Sequence, residues 1–263
     1  MRSALLRVCR ARRFSTTGTA SKSLLSLSED EQMLQESVRR FANETIKPHV
    51  AEMDASATMR SDVVKACFEQ GLMGIETPSE LQGAGMSFFS SVVVIEELAR
   101  VDPAVSVMVD VQNTLANIGI LKWGTPEQQA RWLPRLAQNT VASFCLSEWG
   151  SGSDAFALKT RAVPQADGSF ELTGSKAWIT NSREAGLFVV FATTDPALGY
   201  RGISAFVVDD RATPGLTVQP AENKLGIRAS STCEVLLQGV RVPKENLLGP
   251  LGKGYKVGGG GVF

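Results

Sequence analysis

The chain has 263 residues, with 27 basic and 27 acidic side chains and no formal net charge. That length allows two domains of ordinary size, and the charge balance excludes the basic footprint of a nucleic-acid-binding protein. No apolar run is expected to reach membrane-spanning length, and four scattered cysteines (Cys9, Cys67, Cys145 and Cys233) without a C-x-x-C pair indicate neither a zinc site nor a disulfide framework.

Residues 1–24 stand apart in composition. Arg2, Arg7, Arg10, Arg12 and Arg13 alternate with Leu5, Leu6, Val8 and Phe14, a hydroxyl-rich run follows, and the first acid is Glu29. A basic, serine-containing, acid-free start is the composition of a mitochondrial transit peptide, which predicts delivery to the matrix and cleavage near residues 13–17.

Residues 25–140 read as helices. Ser28 and Glu31 have capping-box spacing, Leu34, Val38, Phe41 and Thr45 mark one face at helical period, and Pro48 is expected to stop the run. The single histidine, His49, follows that stop and reads as solvated or locally bonded. Val63, Val64, Cys67 and Phe68 mark a second helix closed by Gly71, and residues 88–100 a third. Pro103 opens a fourth helix running towards Lys122, and Thr125-Pro126-Glu127-Gln128 starts a fifth.

Near Val141 the period changes. Short apolar or alternating runs at 141–146, 170–172, 176–179, 187–193, 203–208, 216–219 and 233–237 predict strands, with a turn at Asp167-Gly168. The expected fold class is therefore α+β and multidomain: an all-helical domain followed by an antiparallel β-barrel or sandwich over 141–250.

The chemistry-bearing segment is FCLSEWGSGSDAFA, from Phe144 to Ala157. A strand delivers Ser147 and Glu148 to a turn spaced by Gly150 and Gly152, with Ser151, Ser153 and Asp154. Small residues there let backbone N–H groups and hydroxyls approach a phosphate-bearing cofactor closely. Such a turn is also common without any ligand. The same residues match a dinucleotide fingerprint, Gly150-x-Gly152-x-x-Ala155, with Glu171 near the distance of a ribose-binding acid. That alternative, a nicotinamide-dependent enzyme, requires a helix opening near Ala155.

Several blocks keep the order of one known family. GLMGIETPSELQGAG, IEELARVDPAVSV, KWGTPEQQARWLPRLA, FCLSEWGSGSDAFALKTRA, GSKAWITNS, GYRGISAFVVD, ENKLGIRASSTCEV, VRVPKENLLG and GKGYK together resemble the flavin-dependent acyl-CoA dehydrogenases over residues 28–256. The resemblance implies FAD as cofactor and α,β-dehydrogenation of a short or 2-methyl-branched acyl-CoA, with electrons passed to electron-transferring flavoprotein. It implies that Phe144, Cys145, Leu146, Ser147, Glu148, Trp149, Gly150, Ser151, Gly152 and Ser153 line the flavin. A second flavin segment would be Trp178, Ile179 and Thr180, and Ser153, Tyr200 and Tyr255 would contact acyl-CoA. Lys224, Arg228 and Ser230 lie in a matching block and receive no catalytic role. Trp149 is bulky where the family's short/branched-chain members have a small residue, so an inward side chain would put cofactor binding in doubt.

The resemblance also implies what is missing. Family members continue past GKGYK into a helical bundle that carries the general-base glutamate and most contacts of the homotetramer. No catalytic residue is therefore assigned in this chain, and Glu148 is not put forward as a substitute base. Residues 251–263 read as the truncated start of that domain with a glycine-rich tail, VGGGGVF, expected to be disordered. Reading past an exon end would produce such an ending. The chain is expected to be marginally stable, to bind FAD weakly and to turn over little, or to be a non-catalytic FAD- or acyl-CoA-binding remnant.

Overall fold

The computed structural model describes residues 26–259. The segment read as a transit peptide lies outside the described residues, as do the last four.

Helix α1 (Glu29–Phe41) opens on the expected capping box. Glu31 N–H donates to Ser28 Oγ at 3.3 Å, and Ser28 N–H donates to the Glu31 carboxylate at 2.7 Å. Pro48 does not end the helical run. The helix widens into a π turn (Ala42–Ile46), tightens into a 3₁₀ turn (Lys47–His49) and resumes as α2 (Val50–Ser56). Pro48 falls in the first turn of the 3₁₀ segment, where its missing N–H has no partner to lose. His49 thus sits inside the run, with Nδ1 4.0 Å from Glu52.

Helices α3 (Ser61–Glu69) and α4 (Phe88–Ala99) follow. Next come α5 (Pro103–Asp110), a π segment (Val111–Asn117) and α6 (Ile118–Trp123), which together form one 21-residue rod, Pro103–Trp123. That rod is long and apolar enough to cross a membrane by length and composition, which the sequence reading did not expect. It is mostly buried against the rest of the fold. Its amide side chains also bond neighbouring backbone: Asn113 Nδ2 donates to Leu72 O at 2.8 Å, and Asn117 Nδ2 to Met73 O at 2.8 Å. These bonds belong to a core helix. Helix α7 (Pro126–Gln138) starts on the second expected capping box, Thr125 with Gln128.

The β region comprises β1 (Val141–Cys145), β2 (Arg161–Pro164), β3 (Phe170–Thr180), β4 (Ala185–Thr193), β5 (Ile203–Val208), β6 (Leu216–Ala221), β7 (Thr232–Val242) and β8 (Leu247–Leu248). They form one sheet in the order β6-β7-β3-β2-β4-β5-β8, with β1 paired to β4 off that path. Most pairs are antiparallel, but β1 runs parallel to β4, and β2 meets it in parallel at Arg161 and Thr193. The runs at 170–172 and 176–179 are one strand, β3, whose interior breaks alternation at a bulge. The short strands β2 and β8 were not expected from sequence. Asp167-Gly168 is the turn between β2 and β3, with Gly168 at φ +84°.

Strand β4 is buried on both faces. Leu187, Val189 and Phe191 pack with Trp132, Leu133 and Leu136 of α7, while Phe188, Val190 and Ala192 pack with Leu172, Phe206 and Val235 on the other side. Alternate residues of one strand therefore serve two cores, which is why its sequence reads as a continuous apolar run.

The tail is partly ordered. Residues Gly254–Gly259 form a short helix, α8, with Val257 and Gly258 buried and Val257 in the core between α7 and the sheet. This corrects the expectation of a disordered end up to Gly259. Burial of Val257 stabilises one turn that its glycines alone would not hold.

Candidate cofactor and substrate site

Strand β1 is fastened at both ends. At its start Gln112 accepts from Ala142 N–H at 2.7 Å and donates to Thr140 O at 3.0 Å. At its end Ser147 O accepts from Ala177 N–H of β3 at 2.9 Å. The chain then turns tightly, since Glu148 and Ser151 exchange both backbone bonds at 3.0 Å. Ser151 Oγ donates to Asp154 O at 2.7 Å and stiffens the rest of the loop.

Beyond this turn no helix opens. Residues 152–157 pass through bends and a turn, and the chain next enters β2 at Arg161. Glu171 lies on β3 in the hairpin opposite Val163. The dinucleotide fingerprint at Gly150-x-Gly152-x-x-Ala155 therefore lacks the βαβ setting that it requires.

The predicted flavin residues divide by burial. Cys145, Glu148, Ser151 and Ile179 are buried, Phe144, Leu146, Ser147 and Thr180 half-buried, and Trp149, Gly150, Gly152, Ser153 and Trp178 exposed. Phe144 packs on Phe191, ring centroids 4.9 Å apart. Burial pushes the Cys145 thiol up to about 12, so it is an inert packing group. A side chain added at Gly150 or Gly152 would meet nothing within 4 Å, so the loop faces open space.

Trp178 sits at the bulge of β3, where the register with β7 shifts between Lys176 and Ile179. Its φ of +62° is a left-handed conformation that a bulky residue rarely adopts. The bulge turns the indole to the surface with 52% of it exposed. Trp149 does not point into the loop. Its ring is 60% exposed and packs edge-on against Trp178, and its N–H donates to Glu234 of β7 at 3.0 Å. Glu234 and Trp178 together fix the ring on the surface beside the loop.

Glu148 is consumed inside the protein. Its carboxylate accepts from Lys176 Nζ at 2.7 Å, from Thr160 Oγ1 at 2.5 Å, and from the N–H groups of Thr160 and Lys159 at 3.0 and 2.6 Å. Burial works to raise its pKa, but the Lys176 ammonium and these bonds outweigh it and hold the carboxyl below its ordinary range. Nothing remains for proton abstraction.

The residues expected to contact acyl-CoA come together in part. Tyr200 and Tyr255 form a T-shaped pair with centroids 5.0 Å apart, and Phe156 packs edge-on to Tyr255 at 6.5 Å. Phe156, at the end of the loop, was not singled out from sequence. Ser153 is exposed on the same loop. Lys253 lies over the Tyr255 ring and Arg201 over that of Tyr200, at 5.9 and 5.6 Å. Lys224 donates to Thr232 Oγ1 at 2.8 Å and Arg228 to Asp54 O at 3.0 Å, so both act in packing, the latter tying the β6–β7 connection to α2. Among the described residues no group of metal-ligating side chains occurs.

The architecture is a helical region followed by a mostly antiparallel sheet, with an open glycine-spaced loop beside a displayed indole. Residues 28–140 match the N-terminal domain of acyl-CoA dehydrogenases and residues 143–240 the middle domain, so the chain belongs to the acyl-CoA dehydrogenase family. It is 51% identical over 246 residues to a probable short/branched chain specific acyl-CoA dehydrogenase of Dictyostelium discoideum, covering 94% of this chain and 59% of that one. It is 51% identical over 233 residues to the mitochondrial short/branched chain specific enzyme of Bos taurus, covering 89% and 54%. Among solved structures, the acyl-CoA dehydrogenase of Bacillus anthracis complexed with FAD superposes with a TM-score of 0.83 at 32% identity, over 92% of this chain and 41% of that one. The chain thus spans little more than half the length of the curated relatives it matches.

Proposed function

We propose that this chain is the N-terminal and middle-domain portion of an FAD-dependent dehydrogenase of short or 2-methyl-branched acyl-CoA thioesters, working in the mitochondrial matrix. The observation that carries the reading is the juxtaposition of an open loop (Gly150, Gly152, Ser153) with an indole that strained backbone displays at Trp178. Bound FAD would supply hydride acceptance. In this reading the half-buried Ser147 and Thr180 offer hydroxyls at the two edges of the ring site, where a donor stabilises arriving negative charge. The Trp178 ring packs against the isoalloxazine. Ser153, Tyr200 and Tyr255, joined by Phe156, hold the thioester's nucleotide-bearing arm. Electrons leave to electron-transferring flavoprotein.

In this reading Glu148, at the head of the loop, is not the α-proton base, because its carboxylate is locked by four donors. Exposed apolar residues such as Phe88, Val92, Leu225 and Ile227 support a chain that needs further surface to cover it. We expect weak FAD binding, little turnover and no stable tetramer. The test is titration with FAD followed by 2-methylbutyryl-, isobutyryl- and butyryl-CoA, beside a full-length relative. Flavin uptake without bleaching on thioester addition fits the proposal. A colourless chain in saturating FAD overturns the cofactor reading, and desaturation by this chain alone overturns the missing base.

A further inference from the structure

We propose that Glu148 and Lys176 are a buried positioning pair that holds the cofactor loop and the Trp178 bulge in one shape, acting on the ligand only through that shape. The proposal rests on the reading of the loop as a flavin site.

The pair is inaccessible, with side-chain exposures of 9% for Glu148 and 0% for Lys176. The Glu148 carboxylate takes four bonds within the protein, and Lys176 Nζ spends a second bond on Leu146 O at 3.2 Å. A buried ion pair is rarely the best filler of its volume, since apolar side chains of similar size commonly give equal or greater stability. Its value here is geometric. Glu148's backbone closes the 148–151 turn while its side chain grips residues 159 and 160, where the loop returns to the sheet. Lys176 grips the end of β1 and lies two residues before Trp178, where the β3 register shifts. One contact of 2.7 Å thus joins the two segments that make up the candidate site. Charge supplies direction as well as attraction, because only one placement satisfies all these donors at once.

The experiment compares the full chain with E148Q, K176M and the double variant E148M/K176M. Thermal melting without FAD, FAD affinity from tryptophan quenching, and amide exchange over residues 147–160 are read for each. The single variants should melt lower, since each leaves a buried partner unpaired. The double variant should melt above the lower of the two single variants, because no charge is left unpaired, but below wild type, because the Lys159 and Thr160 donors lose their acceptor. It should bind FAD at least tenfold more weakly than wild type and exchange at 147–153 at least tenfold faster. Native affinity and native exchange in the double variant overturn the proposal and leave the pair a packing device. Thr160→Val removes one carboxylate bond while keeping both charges, and serves if the double variant does not fold. It should weaken FAD binding three- to tenfold at a nearly unchanged melting point, and native behaviour there overturns the proposal equally. A wild-type chain that takes up no FAD sinks the flavin reading alone. Exchange then decides the pair, with unchanged protection at 147–153 in the variants counting against it.

Discussion

Trp149 and Trp178 meet edge to face on the protein surface, ring centroids 5.2 Å apart and planes inclined at 66°. One comes from the loop after β1 and the other from the bulge of β3, so the contact reports on the geometry of both. Because the Trp149 ring is exposed and parked against Glu234, Trp149→Ala should cost only about 1 kcal/mol, the worth of an aromatic pair. FAD affinity should stay within threefold of wild type. Equilibrium unfolding with a flavin titration checks both, and a large gain in affinity would mean that the ring does obstruct the site.

Trp178→Gly separates strain from binding. Glycine accepts a φ of +62° freely, and relief of a strained backbone returns on the order of 1–2 kcal/mol. That gain offsets the lost ring contact, so stability should hold within about 1 kcal/mol. Flavin affinity should fall tenfold or more, because the displayed indole is gone. Urea midpoints and FAD quenching curves read the two effects independently.

The Glu148 carboxyl is held below its ordinary pKa in the folded state, against about 4.3 when unfolded. The sign follows by linkage: its contribution is present above the unfolded value and is lost as pH falls through the lower folded one. Glu148→Gln should therefore cost about 3 kcal/mol near neutrality by leaving Lys176 unpaired. The gap from wild type should narrow steadily below about pH 4.3. Urea unfolding of both proteins between pH 3 and 7 measures the convergence, and a gap constant with pH would count against the assignment.

Val257→Ala tests the ordered part of the tail. Deleting two buried methyl groups should cost about 2 kcal/mol. A disordered end would give no change in the urea midpoint, so the measurement distinguishes α8 from the tail expected on sequence grounds.

The two capping boxes, at Ser28 and Thr125, were legible because they are local: two residues three positions apart fix both bonds. The strands at 141–146, 187–193 and 203–208 were legible because buried apolar runs of this length leave few alternatives. Pro48 misled because its effect depends on where it falls in a turn, and a π widening upstream moved it to a harmless position. Strand β2 was hidden because only Ala162 of its four residues is buried, which leaves no periodic signal. At the site, the glycine spacing marked the loop, and family resemblance marked Trp178. Neither revealed Glu148's four partners, which come from positions 159, 160 and 176 and meet only once the sheet has formed.

Gln112 has a consequence for how the strand it anchors can fail. Its amide spans α7 and the start of β1, donating to Leu136 O at 2.9 Å and accepting from Ala142 N–H at 2.7 Å. A parallel strand that slips by one residue turns every side chain to the opposite face, here exchanging Phe144 with its neighbours and carrying Ser147 out of reach of Ala177. The native alignment satisfies the Gln112 amide at Leu136 O, Thr140 O and Ala142 N–H. A glutamine in the helical half therefore acts as a ratchet stop for a loop built at the far end of β1, and a slip that breaks these bonds is penalised at the root of the strand before any ligand arrives.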